Sequence, residues 1–366
     1  MAALCTVNAA ACVPVSRLGP ARQDLGWPAY LGTARHDISA AETLNPDPRP
    51  LWRTDVGRAV RGSPALGETV MAVGVAERFV VLLERTTGEV VWRQRVQGTI
   101  HAGPLLDEDR LYVATEASPE GRVYALRLKD GRPLWSTRTG SIEAPLAFDG
   151  DAIYAGTETG AVLRLDTERG RPAWRRELSG AVRAAPVPTP DGIAVATTND
   201  TLYLLDHTTG EVKQRLPTPG TVLGGPALEG RRLFLATTAG HVLAIDLPAL
   251  TVRWDHLAGD AVFGAPALVR DTLYVLARNG TLWLIPADQP SEARSLALDI
   301  VATAGPTPLV PGVLVASVSG EVLLVERTTG HILWRAQLDG PIEEPPLVRD
   351  RQLVVVAGRG DIHTYR

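Results

Sequence analysis

Six tryptophans divide this chain into near-equal lengths. Trp52, Trp92, Trp135, Trp174, Trp254 and Trp334 are separated by 40, 43, 39, 80 and 80 residues. A spacing near 40 with two beats missed marks an internal repeat. Two other residue types keep the same interval. Gly160, Asp200, Gly240, Gly280, Gly320 and Gly360 fall 40 residues apart, and each opens a short apolar run. Pro64, Pro104, Pro145, Pro186, Pro226, Pro266, Pro306 and Pro346 count eight repeats. A length of 366 residues would otherwise suggest two ordinary domains. The repeat overrides that, because one array runs unbroken from residue 50 to residue 366.

Residues 98–140 show what one unit contains. A strand-like start, Gly98 to Leu105, is followed by a turn at Asp107-Glu108-Asp109 and an apolar run from Leu111 to Thr115. A second turn reaches Gly121, Val123 to Leu126 form the next run, Lys129-Asp130-Gly131 turns tightly, and Pro133 to Thr137 close the unit. That is four short strands with turn chemistry at each gap and no stretch of helical period. The second strand recurs as a near-continuous apolar run, for example Leu233 to Thr237 and Leu353 to Ala357, as expected for a strand buried on both faces. The third-to-fourth turn recurs as Thr86-Thr87-Gly88, Thr208-Thr209-Gly210 and Thr328-Thr329-Gly330, where glycine supplies the positive φ of a tight hairpin.

Four-stranded units at this period predict an all-β fold, an eight-bladed β-propeller. The six tryptophans are read as wedges between neighbouring blades. Gln214 occupies that beat in blade four, and blade six lacks it near Ala293, so those two blades are expected to dock less tightly. The last unit, from Pro341, holds three strands, and Pro50 to Thr54 reads as a lone fourth. Blade eight is therefore expected to be shared by the two chain ends, which covers an otherwise open strand edge.

Composition narrows the function. Net charge is −4 with a pI near 6.0, so no basic field is present to attract nucleic acid or an anionic membrane. Apart from Lys129 and Lys213 the basic residues are arginines, which reads as genome composition rather than guanidinium chemistry. No stretch reaches the length of a membrane span. The only cysteines, Cys5 and Cys12, precede the repeats, leaving the body without thiol, disulfide or cysteine metal site. Residues 1–26 are read as a leader, the remnant of a signal or lipoprotein segment; Ala9-Ala10-Ala11-Cys12 resembles a weak lipoprotein box with Cys12 as the lipidated residue. The competing reading is a leader with incidental cysteines. Residues 27–49 are read as an extension packing on the propeller.

The sequence offers no local catalytic motif. The seven histidines have no His-x-x-x-His or His-x-His spacing, so neither a metal nor a cofactor is expected. Asp107-Glu108-Asp109 lacks the spacing of a calcium loop and reads as a solvated hairpin turn. Aligning the blades on the segment ahead of the first strand puts one residue per blade near the channel mouth: Arg61, His101, Glu143, Arg183, Leu223, Phe263, Thr303 and Glu343. Glu343, Arg61, His101, Glu143 and Arg183 alternate in charge around one side, and Leu223, Phe263 and Thr303 complete the other. Such a ring could bind a small polar ligand or a partner's loop. The reading favoured over that is a set of salt bridges satisfied among themselves around trapped water.

The segments Glu84-Arg85-Thr86-Thr87-Gly88-Glu89-Val90-Val91-Trp92 and Glu326 to Trp334 resemble the quinoprotein-type, or PQQ-like, β-propeller repeat. Asp166 to Trp174 has Arg169-Gly170 in the Thr-Gly place, and Trp27-Pro28-Ala29-Tyr30-Leu31-Gly32 resembles the leader of bacterial proteins of this kind. The resemblance covers about residues 27 to 366 and speaks for the fold more than for an activity. Two branches carry the repeat. The quinoprotein dehydrogenases have longer chains with large insertions, an adjacent-cysteine disulfide ring and a calcium site, none of which this chain's compact, cysteine-free body matches. The compact branch is the BamB-like family of outer-membrane assembly lipoproteins. That resemblance implies a non-enzymatic interaction scaffold of the cell envelope, periplasmic or outer-membrane-associated, monomeric outside its complex and partnered by a β-barrel assembly complex. The alternatives are a small-molecule-binding or sensor propeller using the channel mouth and, less favoured, a degenerate quinoprotein oxidoreductase.

Overall fold

The computed structural model describes residues 42–366 apart from Arg58 and Arg359. Cys12, the leader and most of the 27–49 segment lie outside the described residues. The described chain forms 32 strands, β1–β32, grouped as eight four-stranded antiparallel sheets. This is the eight-bladed propeller that the spacing predicts.

Blade two shows why the sequence folds this way. Its strands are β6 (Leu105–Asp107), β7 (Arg110–Ala114), β8 (Arg122–Arg127) and β9 (Pro133–Arg138), paired in that order. The apolar runs of β7 and β8 are buried on both faces, whereas β9 alternates between exposed and half-buried residues. The central strands are therefore sandwiched between neighbouring blades, with partly exposed residues at their ends, and the outermost strand presents most surface to solvent. The core follows the same plan. Ala72, Val80 and Leu82 of blade one pack with Leu111, Val113 and Leu126 of blade two in one buried cluster. Apolar wedges between successive blades replace a single central core.

The innermost strands are shorter than the sequence suggests. They span two or three residues, as in β6 and in β2 (Ala65–Leu66), and do not begin back at Gly98. Pro104, Pro186 and Pro226 stand directly ahead of their strands and have no N–H to give a ladder. The preceding segment is tied elsewhere: Thr99 and Glu116 exchange backbone hydrogen bonds at 2.9 and 2.7 Å.

The ring is closed by both chain ends. Blade eight runs β1 (Pro50–Asp55), β32 (Asp361–Tyr365), β31 (Gln352–Ala357), β30 (Leu347–Arg349) from rim to axis. Trp52 faces Thr364 and Arg53 faces His363 in its outer pair. Arg49 and Arg366 exchange two backbone hydrogen bonds, each 2.8 Å. Ahead of the clasp, Glu42 to Leu44 run beside Val310, and the Leu44 side chain is buried against blades seven and eight.

The tryptophans dock each blade to the next. The indole Nε1–H of Trp52, Trp92, Trp135, Trp174 and Trp254 donates to the carbonyl of Arg85, Leu128, Thr167, His207 and Ala287, at 2.8–3.0 Å. Each acceptor lies in the next blade's third-to-fourth turn. The turn glycine lets the ring lie flat there: a methyl on Gly88 would sit 2.4 Å from the Trp52 ring. Trp334 faces blade eight, where the chain ends replace that turn, and its ring meets Tyr365 edge-on at 5.1 Å. The expectation of looser docking at the missed beats needs correction. Opposite Gln214 the turn of blade five is Leu247-Pro248-Ala249-Leu250, and Leu247 and Leu250 are buried at 8% and 4% exposure in a cluster with Leu202, Leu204 and Leu216 of blade four. The facing turn supplies the volume that the tryptophan lacks. In blade six Leu296 lies against Gly330 in the same place.

Candidate functional site

Antiparallel blades put alternate connections on opposite faces of the ring. The interblade links and the second-to-third turns share one face; the Thr-Thr-Gly turns and first-to-second turns share the other. All eight aligned residues lie on the first of these faces, each four positions ahead of its blade's innermost strand. His101, Glu143, Arg183, Leu223, Phe263, Thr303 and Glu343 line one hollow of about 200 Å³ on the channel axis. Arg61 lines an adjoining hollow of about 250 Å³, which it shares with His101, Glu143 and Glu343. The structure thus brings the eight together.

A second ring, absent from the sequence reading, surrounds them. Fifteen residues after each member of the first ring comes Ala76, Glu116, Glu158, Thr198, Thr238, Arg278, Val318 or Gly358. Each donates its backbone N–H, at 2.7–3.0 Å, to the carbonyl two residues before its inner-ring mate: Ala76 to Ala59, Glu116 to Thr99, Glu158 to Ser141, and so on to Gly358 with Pro341. The constant offset of 15 is the signal that would have revealed this ring from sequence. The two rings interlock across blades. Ile142, Val182 and Ile342 each donate to the carbonyl just before the outer-ring residue of the preceding blade. Glu143 is thereby placed beside Glu116, and Arg183 beside Glu158.

The consequences for charge follow. Arg183 grips Glu158 through Nη2 at 2.8 Å and Nε at 3.2 Å and reaches Glu143 only at 3.9 Å. Its guanidinium is held above its ordinary range, chiefly by Glu158. His101 Nε2 lies 3.2 Å from Glu116 Oε2. One ligand atom each from His101, Glu116 and Glu143 falls within 4.8 Å of the other two. Local spacing could not show this, because the three come from two blades and three separate loops.

Glu344 is a further residue the sequence reading missed. The position after the inner-ring residue is Gly62, Ala102, Ala144, Ala184, Gly224, Gly264 and Ala304 in seven blades, and Glu344 in the eighth. Small residues are required there because backbones nearly touch: a methyl on Gly62 would fall 2.2 Å from the Gly103 nitrogen. A carboxyl in that place is half-buried and lines both hollows. Burial pushes its pKa up to about 7, against the Ser63 hydroxyl and Gly62 N–H that donate to it and with Glu343 adding to the rise. Across the mouth, the hydroxyl of Thr303 is shielded from solvent and has no hydrogen-bond partner among the described residues. The hollow is thus acidic along blades eight, two and three, and apolar with an unanswered hydroxyl along blades five to seven.

No helix among the described residues is long and apolar enough to cross a membrane. The profile described as outer membrane protein assembly factor BamB matches residues 39–146, 119–312 and 301–366. A curated relative of that description from Burkholderia pseudomallei is 27% identical over 262 residues, covering 66% of this chain and 67% of the relative. Relatives of the same description from Legionella pneumophila and Nitrosomonas eutropha are matched over 48% and 38% of their lengths, so the chain spans about half or less of these. In three dimensions the chain is similar to BamB from Moraxella catarrhalis, with a TM-score of 0.74 at 15% identity over 87% of this chain and 99% of that one. It is also similar to a quinohemoprotein alcohol dehydrogenase from Pseudomonas putida, with a TM-score of 0.80 at 13% identity over 98% and 82%. At these identities both structures speak for the fold alone.

Proposed function

We propose, from the premise that this chain belongs to the family of the outer membrane protein assembly factor BamB, that it is a non-enzymatic interaction scaffold of the bacterial cell envelope. Its partner on this reading is a β-barrel assembly complex, and its place is the periplasm or the inner side of the outer membrane. The observation that carries the reading is the family match itself, which runs over every blade. The compact body supports it. Hairpin turns such as Glu84–Glu89 and Glu326–His331 are closed by their own side chains, and no long loop interrupts the blades to build a deep cleft. Dehydrogenase chemistry of the quinoprotein kind gains no support, because the body lacks cysteine.

The test is an affinity capture from solubilised envelope of the native organism, with a tag following Arg366 and mass spectrometry of what co-elutes. Recovery of an outer-membrane barrel insertase in defined stoichiometry supports the scaffold. Recovery of the bait alone sinks it and favours the second reading, a ligand-binding propeller. That reading rests on the hollow of about 200 Å³ with its charged and apolar sides.

A further inference from the structure

We infer that the channel mouth carries a site for a divalent first-row transition ion of the zinc type, held by His101, Glu116 and Glu143. The geometry is the first ground. At metal–ligand distances of about 2.1 Å, two ligands of a tetrahedral ion stand roughly 3.4 Å apart. The separation of His101 Nε2 from Glu116 Oε2 is 3.2 Å, and the whole triad lies within 4.8 Å. Drawing Glu143 in from a separation of at most 4.8 Å by side-chain rotation would complete three corners of a tetrahedron.

Positioning is the second ground. Glu116 is fixed by two backbone hydrogen bonds to Thr99, two residues from His101. Ile142, next to Glu143, donates to the carbonyl of Thr115, next to Glu116. The three ligands therefore stand on rigid backbone before any ion arrives, which lowers the ordering cost of binding.

Charge is the third. Two carboxylates this close repel each other, and the nearest guanidinium relieves them only in part. Arg183 is committed to Glu158 and touches Glu143 only at 3.9 Å. A dication between them answers both charges. One imidazole nitrogen and two carboxylate oxygens suit zinc or its neighbours, and fall short of the six to eight oxygens that calcium takes. His101 and Glu143 line the same hollow as Leu223, Phe263 and Thr303, so water or a donor carried by a bound molecule can reach an ion held there. The triad belongs to this chain's own interlocked rings: at the matching places in blade five stand Leu223 and Thr238, and in blade six Phe263 and Arg278.

The experiment is a calorimetric titration of the full chain, tag removed and chelator-treated, with Zn²⁺ alone, followed by Co²⁺ as a visible reporter of geometry. Wild type is expected to bind one equivalent, and Co²⁺ to give the intense bands of a four-coordinate site. His101→Ala, Glu116→Gln and Glu143→Gln are each expected to weaken binding at least tenfold, with melting temperatures showing that they remain folded. His241→Ala removes a histidine paired with Asp255 outside the mouth and is expected to bind as wild type does. Absence of saturable binding up to about 1 mM Zn²⁺ overturns the assignment. So does an affinity unchanged in all three variants, which would make the ion adventitious.

Discussion

Glu344→Gln tests the unusual placement of an acid among backbone contacts. The carboxyl is pushed from its ordinary 4.5 up to about 7. A raised acid means that the folded chain binds more protons than the unfolded one between these values, so stability falls as pH rises through that window. The penalty is nearly absent below about 4.5 and complete above about 7. Integrating the two titrations between about pH 5 and about pH 8 gives a loss of roughly 2.5 kcal/mol from this group. Glutamine can still accept from the Ser63 hydroxyl and the Gly62 N–H, but it cannot ionise. Its amide hydrogens add a pH-independent cost, so the useful quantity is the variant-minus-wild-type difference at the two pH values, in which titrating groups not coupled to Glu344 cancel. Urea unfolding at each pH supplies it. The expected result is a difference that moves in favour of the variant by roughly 2.5 kcal/mol between acid and alkaline conditions. A difference that stays constant within about 0.5 kcal/mol would refute the reasoning, because Glu344 would then titrate alike in folded and unfolded chains.

Three other outcomes follow from the packing. Trp174→Ala removes a buried indole and its bond to the His207 carbonyl and is expected to cost about 3–5 kcal/mol in denaturant unfolding; Trp334→Ala, with no such bond among the described residues, should cost measurably less. Gly131→Ala puts a methyl 2.8 Å from the Trp92 ring at a φ of 71° and should destabilise by about 2–4 kcal/mol, and a neutral result would mean that the indole is free to shift. A chain starting at residue 58 should melt far below one starting at residue 50, since it loses β1 and the indole seated on Gly88; equal melting temperatures would contradict a shared blade.

The architecture was legible because a propeller must repeat its wedges. Tryptophan, proline and glycine recur wherever blade meets blade, and eight prolines count eight blades. The inner ring could be aligned for the same reason. What remained hidden lay where the repeat makes substitutions in pairs. Gln214 in place of tryptophan reads as a loss within its own repeat, and Leu250 fills the gap from the facing turn. The pairing of Glu116 with Glu143 arises from a cross-blade hydrogen bond beside them, and no single repeat contains it. Glu344 stands out as a lone acid against the glycine and alanine of the other seven repeats, a contrast that no single repeat contains.

The clasp makes time a part of this structure. Trp52 bonds Thr364 across 312 residues of sequence, so the first-made strand of the ring waits for the seven intervening blades to be synthesised. Until Asp361–Tyr365 emerge, Pro50–Asp55 is a strand without a neighbour and the growing stack of blades has an open flank at each end. Two chains caught at that stage could trade first strands, each closing the other's eighth blade. Crowded synthesis would then leave interlinked pairs whose every blade is native and whose only fault is which chain completed it.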